Sequence, residues 1–415
     1  MEPYRIKIVE PLNDAPKVIR KKELKAAGYN TFLIPAKYVL IDLISDSGTG
    51  AMSSEQWANM VLAREDFSGQ AAYDAFLKTA IKITGMAHIQ PVHQGRAAEN
   101  ILFKMLLKPG ETVLSNTLFE TTRDNIESMG SQAIDLLKPA PPFCGNIDID
   151  RLHSHLEKNP RVRMLILTLT NNTKGGQPVA LTNLKEARAI AKKNHIWLVF
   201  DASRFADNAY LNKEYSRLKT TVRQICRKTF DLCDILYMSS KKDGLVNIGG
   251  FIGLRDRKLF LRLSTEIIRQ ESYPSSGGLA ARDIAAMNCG LQEAVNEEFL
   301  RSHMESIRYL AAILKKNGVR IFEPVGGHGI IIQPNEIMPY AAFALGAAVY
   351  IETGIRGGVF GREFRLALPR RVYTANHLKY AGEAISRIYH KKLPRLRIVY
   401  RPRRFFNFFA KFERT

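Results

Sequence analysis

The chain has 415 residues, 46% of them hydrophobic, and carries 61 basic against 40 acidic residues for a formal net charge of +21. That length is more than one hydrophobic core usually serves, so a large domain and a smaller one are expected. No apolar run approaches the roughly 20 residues that span a bilayer, the stretch Met1-Glu2-Pro3-Tyr4-Arg5-Ile6-Lys7 lacks the apolar core of a secretory signal, and Cys144, Cys226, Cys233 and Cys289 form no C-x-x-C pair; these features argue against membrane, secreted and thiol-metal proteins and predict a soluble cytoplasmic one.

In chain order, Lys21 to Ala27 reads as a short helix within an N-terminal arm, and Tyr38 to Ile44 reads as a strand. The strand runs into the polar turn Ser45-Asp46-Ser47-Gly48-Thr49-Gly50, which is either an ordinary connector or part of a site lining. Ser53-Ser54-Glu55-Gln56 supplies an N-cap and first-turn polar residues for a helix through Trp57 to Leu62.

From about residue 85 to 300 short apolar runs alternate with amphipathic helices, the pattern of a parallel sheet flanked by helices. Ile89 to His93 leads into Gln94-Gly95-Arg96, which opens a helix, and the backbone N–H groups of such a helix start beside an arginine suit a phosphate. Further strands end in Thr117-Leu118-Phe119-Glu120, in Asn171-Asn172-Thr173-Lys174, in Asp201-Ala202-Ser203-Arg204 and in Ser239-Ser240-Lys241-Lys242-Asp243. Polar residues thus recur at strand carboxyl ends, where open α/β sheets bind ligands.

For a Lys-Lys dipeptide alone a solvated turn is the commoner reading. Asp201, however, precedes Lys242 by 41 residues, with one helix predicted between their strands. A lysine that carries an aldehyde cofactor as a Schiff base, and an acid that keeps the cofactor's pyridine nitrogen protonated, are the two partners pyridoxal phosphate chemistry needs. The local pattern does not choose between Lys241 and Lys242.

Beyond residue 300 a helix from Arg308 to Lys316, strands at Val319 to Phe322 and Ile330 to Ile332, a helix around Ala341 to Tyr350 and the run Phe364 to Pro369 complete a smaller α+β unit. The tail from His390 to Arg414 interleaves basic and aromatic residues, a combination able to grip single-stranded nucleic acid. A C-terminal strand and helix with a basic outer face and packed phenylalanines is the preferred reading, so nucleic acid is not an expected partner. The expected division is 1–50 for the arm and part of the small domain, 51–300 for a large cofactor-binding domain and 301–415 for a small domain.

Taken in order, Gln94-Gly95-Arg96-x-Ala98-Glu99-Asn100, Gly175-Gly176-Gln177-Pro178, Asp201-Ala202-x-Arg204, Ser239-x-Lys241-Lys242-Asp243, Asn247-Ile248-Gly249-Gly250, Gly277-Gly278-Leu279-Ala280-x-Arg282-Asp283 and Leu368-Pro369-Arg370-Arg371-Val372-Tyr373-Thr374 resemble the tryptophanase and tyrosine phenol-lyase family, the β-eliminating lyases. The resemblance implies an α/β fold of type I among pyridoxal phosphate enzymes, the aspartate-aminotransferase type, with a mainly parallel seven-stranded sheet, flanking helices and a smaller α+β domain. It implies pyridoxal 5'-phosphate, a monovalent cation (potassium or ammonium), a small amino-acid substrate and a homo-oligomer, dimer or tetramer, with shared active sites.

Carried over by position, Lys242 becomes the Schiff-base lysine, Gln94, Gly95, Arg96 and Ser239 hold the phosphate, and Phe119 stacks on the ring. Asp201 pairs with the ring nitrogen, Asn172 and Arg204 contact its phenolic oxygen, and Arg365 binds the substrate carboxylate. Ser47 and Glu120 are further substrate-side candidates, and Gly48, Glu65 and Asn247 are the cation ligands.

The chain departs from the family where the segment Arg64-Glu65-Asp66-Phe67-Ser68-Gly69 carries Phe67 in place of the tyrosine proposed to protonate a departing phenol or indole carbon. Glu120 stands where relatives carry threonine or aspartate, and the stretch between Ile332 and Arg365 is shorter than in the lyases. The resemblance therefore implies β-elimination or β-replacement on an L-amino acid with a leaving group that needs no carbon protonation, giving pyruvate and ammonia on elimination. Transamination or aldol-type cleavage on the same frame is the alternative, and a non-catalytic binding protein descended from a lyase is the second.

Overall fold

Apolar residues along the central strands fall alternately into two separate buried clusters, the pattern expected of a sheet covered on both faces. Leu165, Leu167, Leu198, Phe200, Leu236 and Met238 belong to one cluster, and Met164, Ile166, Val199, Ile235 and Tyr237 to the other. Each such side chain, fully buried, contributes about 1.5–3 kcal/mol. The computed structural model describes residues 2–415. Its strands are β1 Ile41–Leu43, β2 His88–Val92, β3 Thr112–Ser115, β4 Gln132–Asp135, β5 Val162–Thr168, β6 Trp197–Asp201, β7 Ile235–Ser239, β8 Gly250–Leu254, β9 Gly329–Ile332, β10 Ile355–Phe360, β11 Glu363–Ala367, β12 Leu396–Tyr400 and β13 Lys411–Arg414.

The chain forms two units, Met1–Asp46 with Ser302–Thr415, and Ser47–Arg301. In the larger, a seven-stranded sheet has the order β2-β8-β7-β6-β5-β3-β4. Strands β3 to β7 run parallel, and β8 is antiparallel to both neighbours. The fold is therefore α/β with a mostly parallel sheet, as the alternating pattern predicts. Its geometry brings Ser115, Thr168, Asp201 and Ser239, the last residues of β3, β5, β6 and β7, to one edge of the sheet.

Several local expectations change. Where the sequence predicts one helix between β6 and β7, two form, Phe205–Tyr215 and Val222–Phe230. Arg217 between them adopts a left-handed φ of 50°, and Thr221 and Gln224 form a reciprocal cap that starts the second helix afresh. The predicted strand at Tyr38 to Ile44 shortens to β1 because Ala36–Tyr38 winds into a single 3₁₀ turn behind Pro35. The stretch Val319 to Phe322 makes only an isolated bridge between Ile321 and Ile332, since Pro324 has no N–H with which to extend the ladder. The helix predicted from Arg308 begins earlier, at Glu297.

In the smaller unit a four-stranded sheet has the order β1-β10-β11-β9, backed by the helix Ala341–Thr353, most of whose residues are buried. Arg356 on β10 donates to both carboxylate oxygens of Asp42, and Arg370 donates to Asp46 at 2.9 Å in a pair closed off from solvent. The tail forms β12, a short helix Phe406–Phe409 and β13. Of its phenylalanines, Phe412 is buried and lies 4.6 Å from Phe343, centroid to centroid, Phe405, Phe406 and Phe408 are half-buried, and Phe409, expected to pack, is 51% exposed, while the arginines and lysines of the tail face outward. Among the described residues no helix is long and apolar enough to cross a membrane.

Candidate active site

The carboxyl ends of β6 and β7 are tied by one serine. Asp201 closes β6, and its Oδ1 accepts from both the N–H and the hydroxyl of Ser203, at 3.0 and 2.6 Å. The same Ser203 hydroxyl accepts from the N–H of Ser239, which closes β7, at 3.1 Å. Asp201 pairs with Thr168 on one side and Tyr237 on the other, so its carboxylate is presented from the middle of the sheet.

Ser239 in turn abuts the start of the helix Gly95–Leu106. A Cβ on Gly95 would lie 2.7 Å from the Ser239 Cβ, so only glycine permits this approach. Gln94 bridges to Gly249 and provides no side-chain cap for the helix. The N–H groups and positive end of this helix start thus lie against Ser239, with Arg96 in the same first turn, an arrangement suited to an anion.

The structure distinguishes the adjacent lysines. The Lys241 side chain runs along Gly48, whose backbone N–H donates to the Lys241 carbonyl at 2.7 Å and whose positive φ of 74° suits a residue without Cβ. Burial, and then the positive charge of Arg96, lower the Lys241 pKa. Lys242 instead acts electrostatically on Glu99, which also feels Asp201. Asp243, the next residue, is buried, and its carboxylate accepts from the N–H of Ala206 at 2.7 Å at the start of the helix Phe205–Tyr215. That cap fixes the loop on which both lysines sit.

Around this edge, Phe119 and Glu120 are half-buried where β3 gives way to the helix Glu120–Ser128. Asn172 is buried in a short turn after β5 that Asn171 organises by accepting from the Thr173 N–H and hydroxyl. Arg204 is buried at the N-cap of Phe205–Tyr215, its N–H donating to Leu169. Ser47 is half-buried at the first position of the larger unit.

Phe67 is 77% exposed, its ring 5.4 Å from that of Tyr273. The Gly48 carbonyl accepts from the Asn247 side-chain amide at 3.0 Å, whereas both oxygens of Glu65 accept from Ala281 and Arg282 N–H groups at the start of the helix Ala281–Ala294. Arg365 belongs to the smaller unit, on β11, where it is buried with its guanidinium 4.0 Å from the Phe360 ring centroid and one nitrogen donating to the Ile44 carbonyl. Arg356 is committed to Asp42 and to the Ile34 carbonyl.

Ser203 and Glu99 escape a reading of strand ends. Ser203 sits between two assigned residues, and Glu99 lies inside a quoted motif. The available signal was an acid on a helix face otherwise made of Ala98, Ile101, Leu102 and Phe103.

An open α/β sheet with a helix start suited to an anion, a buried aspartate and a lysine loop at one edge defines a pyridoxal phosphate enzyme of fold type I. Solved structures share that fold, among them an aspartate aminotransferase from Thermotoga maritima (TM-score 0.66, 13% identity, 91% of this chain and 98% of that one). A threonine aldolase from Leishmania major is similar over 84% of this chain and 99% of its own (TM-score 0.64, 15% identity). The sequence profile of the β-eliminating lyases matches residues 42–384. A tryptophanase of Salinibacter ruber is 41% identical, covering 94% of this chain and 90% of that protein, and a tyrosine phenol-lyase of Fusobacterium nucleatum is 38% identical, covering 99% and 97%. The chain belongs to the β-eliminating lyase family and is a pyridoxal phosphate-dependent lyase.

Proposed function

We propose that this lyase acts on an L-amino acid whose β-substituent departs as a stable anion, a thiolate being the type case, and that the products are the protonated leaving group, pyruvate and ammonia. The observation that carries the reading is Phe67, a side chain with no proton to give, where phenol- and indole-releasing relatives are expected to carry a tyrosine. Expelling an aromatic carbon requires a proton on that carbon, whereas a thiolate leaves with its electron pair unaided.

Pyridoxal phosphate, when bound, supplies an electron sink for the carbanion at the substrate α-carbon. Gly95, Arg96 and Ser239 would hold its phosphate, Phe119 would pack on its ring, Asn172 and Arg204 would bind its phenolic oxygen, and Asp201, oriented by Ser203, would hold the proton on its ring nitrogen. Lys242 would carry its aldehyde and serve as the base for the substrate α-proton. Arg365 binds the substrate carboxylate through its planar fork, while Ser47 and Glu120 border the side chain. Loss of the α-proton and the β-substituent, with one water consumed, balances to pyruvate, ammonia and the protonated leaving group.

Two further elements belong to the proposal. Gly48, through its carbonyl, and Asn247 would contribute to a potassium or ammonium site, the two residues being already joined by the Asn247 side-chain amide donating to the Gly48 carbonyl; Glu65 is engaged at a helix start and joins it only if that cap is given up. Self-association as a dimer or tetramer is supported by the exposed apolar residues Trp57, Val61, Leu62 and Phe67.

Incubating the holoenzyme with a panel of L-amino acids and assaying pyruvate and ammonia tests the reading. Turnover of S-substituted cysteines well above that of tyrosine and tryptophan is expected. Phenol released from tyrosine at a comparable rate overturns it, and accumulation of the cofactor's amine form with no pyruvate indicates transamination instead.

A further inference from the structure

Behind the candidate cleft lies a second acid. Glu99 projects from the helix Gly95–Leu106 into the interior and is 6% exposed. Thr122 donates to its Oε1 at 2.7 Å and Asn125 to its Oε2 at 3.1 Å, both from the helix Glu120–Ser128. From the sheet, Asp201 on β6 and Tyr237 on β7 face it, and Lys242 faces it from the loop after β7. The negative charge of Asp201 raises the cost of ionising Glu99, and the positive charge of Lys242 lowers it.

Two buried carboxylates that sense one another do not both ionise readily, because each charge raises the cost of the other in a poorly solvated interior. Asp201 has the N–H and hydroxyl of Ser203 to stabilise its negative form. Glu99 has only neutral donors, and the Thr122 hydroxyl can turn to accept a proton as readily as it gives one.

We propose that Glu99 carries a proton in the resting enzyme and is a positioning residue: as a neutral acid spanning Thr122 and Asn125, it adds no second negative charge behind Asp201, the acid assigned to the cofactor's ring nitrogen. This rests on the assignment of Asp201 to that nitrogen. Burial first, and the negative charge of Asp201 second, push the Glu99 pKa up to about 7, against the pull of Thr122, Asn125 and Lys242. The same surroundings raise the Tyr237 phenol, burial again dominating, so it stays neutral as well. The arrangement makes the proton on Glu99, several bonds away from substrate, a control on the charge that the ring experiences.

The test uses the holoenzyme loaded with pyridoxal phosphate and two variants, Glu99→Gln and Thr122→Val. The pH titration of the bound cofactor's visible absorbance should show a transition with a midpoint near 7 in the wild type that is absent in Glu99→Gln. Thr122→Val, which removes a donor to the ionised form, should move that midpoint upward by about half a unit to one unit. Infrared difference spectra should show a protonated carboxyl band that Glu99→Gln lacks. Cofactor uptake with an unchanged titration in Glu99→Gln overturns the role of Glu99 alone. Failure of the wild type to take up pyridoxal phosphate overturns the cofactor assignment beneath it. Should Glu99→Gln not fold, Thr122→Val decides: an upward shift supports the proposal and no shift overturns it.

Discussion

The hydroxyl of Ser203 donates to Asp201 Oδ1 at 2.6 Å and is the only side chain that touches both the end of β6 and, through the Ser239 N–H, the end of β7 among the bonds described above. One oxygen atom therefore couples the acid proposed for the ring nitrogen to the residue proposed for the phosphate. Ser203→Ala should loosen pyridoxal phosphate roughly tenfold, because a hydrogen bond to an ionised carboxylate contributes about 1.5 kcal/mol or more. Equilibrium binding of the cofactor to the apoenzyme measures this, and an unchanged affinity would show that Asp201 keeps its orientation unaided.

The two lysines of the loop make opposite predictions. Lys242 lies in the field of Glu99, and Lys241 in that of Arg96. Borohydride reduction followed by peptide mass mapping should place the cofactor on Lys242. Lys242→Ala should abolish that adduct and lower turnover by several orders of magnitude. Lys241→Ala should keep the adduct and weaken cofactor affinity, since it removes a cation that acts on Arg96, a residue proposed for the phosphate. A reducible adduct that survives in Lys242→Ala transfers the anchor to Lys241.

Much of the fold was legible because it rests on local regularities. The runs Met164 to Leu167 and Ile235 to Met238 are too short and too uniformly apolar for surface helices, and each ends in hydroxyl or charged residues, so strands with polar carboxyl ends follow directly. Gln94-Gly95-Arg96 likewise announced a helix start. What stayed hidden depends on contacts between residues distant in the chain. Glu65, a cation ligand by family resemblance, caps a helix more than 200 positions later, a contact no local pattern announces. The pairing of Asp46 with Arg370 joins residues 324 apart. The second helix before β7 turned on Arg217 entering a left-handed conformation that nothing in its residue type requires.

Phe67 bears directly on the choice of leaving group. It is exposed and lies against Tyr273 rather than inside the packed core, so adding a hydroxyl creates neither a clash nor a buried unsatisfied group. Phe67→Tyr should fold with unchanged thermal stability and raise the rate of phenol release from tyrosine at least tenfold, while elimination of a thiol changes by less than a factor of about three. Steady-state assays on both substrates check the split. Equal effects on both would remove Phe67 from the account of specificity.

The raised pKa of Glu99 makes the stability of the fold depend on pH. In the unfolded chain a glutamate loses its proton near 4.5, whereas in the native state Glu99 keeps it up to about 7. Between those values the native state binds more protons than the unfolded one, so stability falls as pH rises through the window. Above it the ionised, buried carboxylate costs on the order of 3 kcal/mol; below about pH 4.5 both states are protonated and the cost vanishes. Glu99→Gln preserves a donor toward Thr122 and an acceptor for Asn125 without the charge. The apoenzyme variant should therefore resist denaturant better than the wild type at pH 8 and match it at pH 5. Chemical unfolding at the two pH values measures the difference, and a variant that is less stable at pH 8 would show that Glu99 is held as a carboxylate after all.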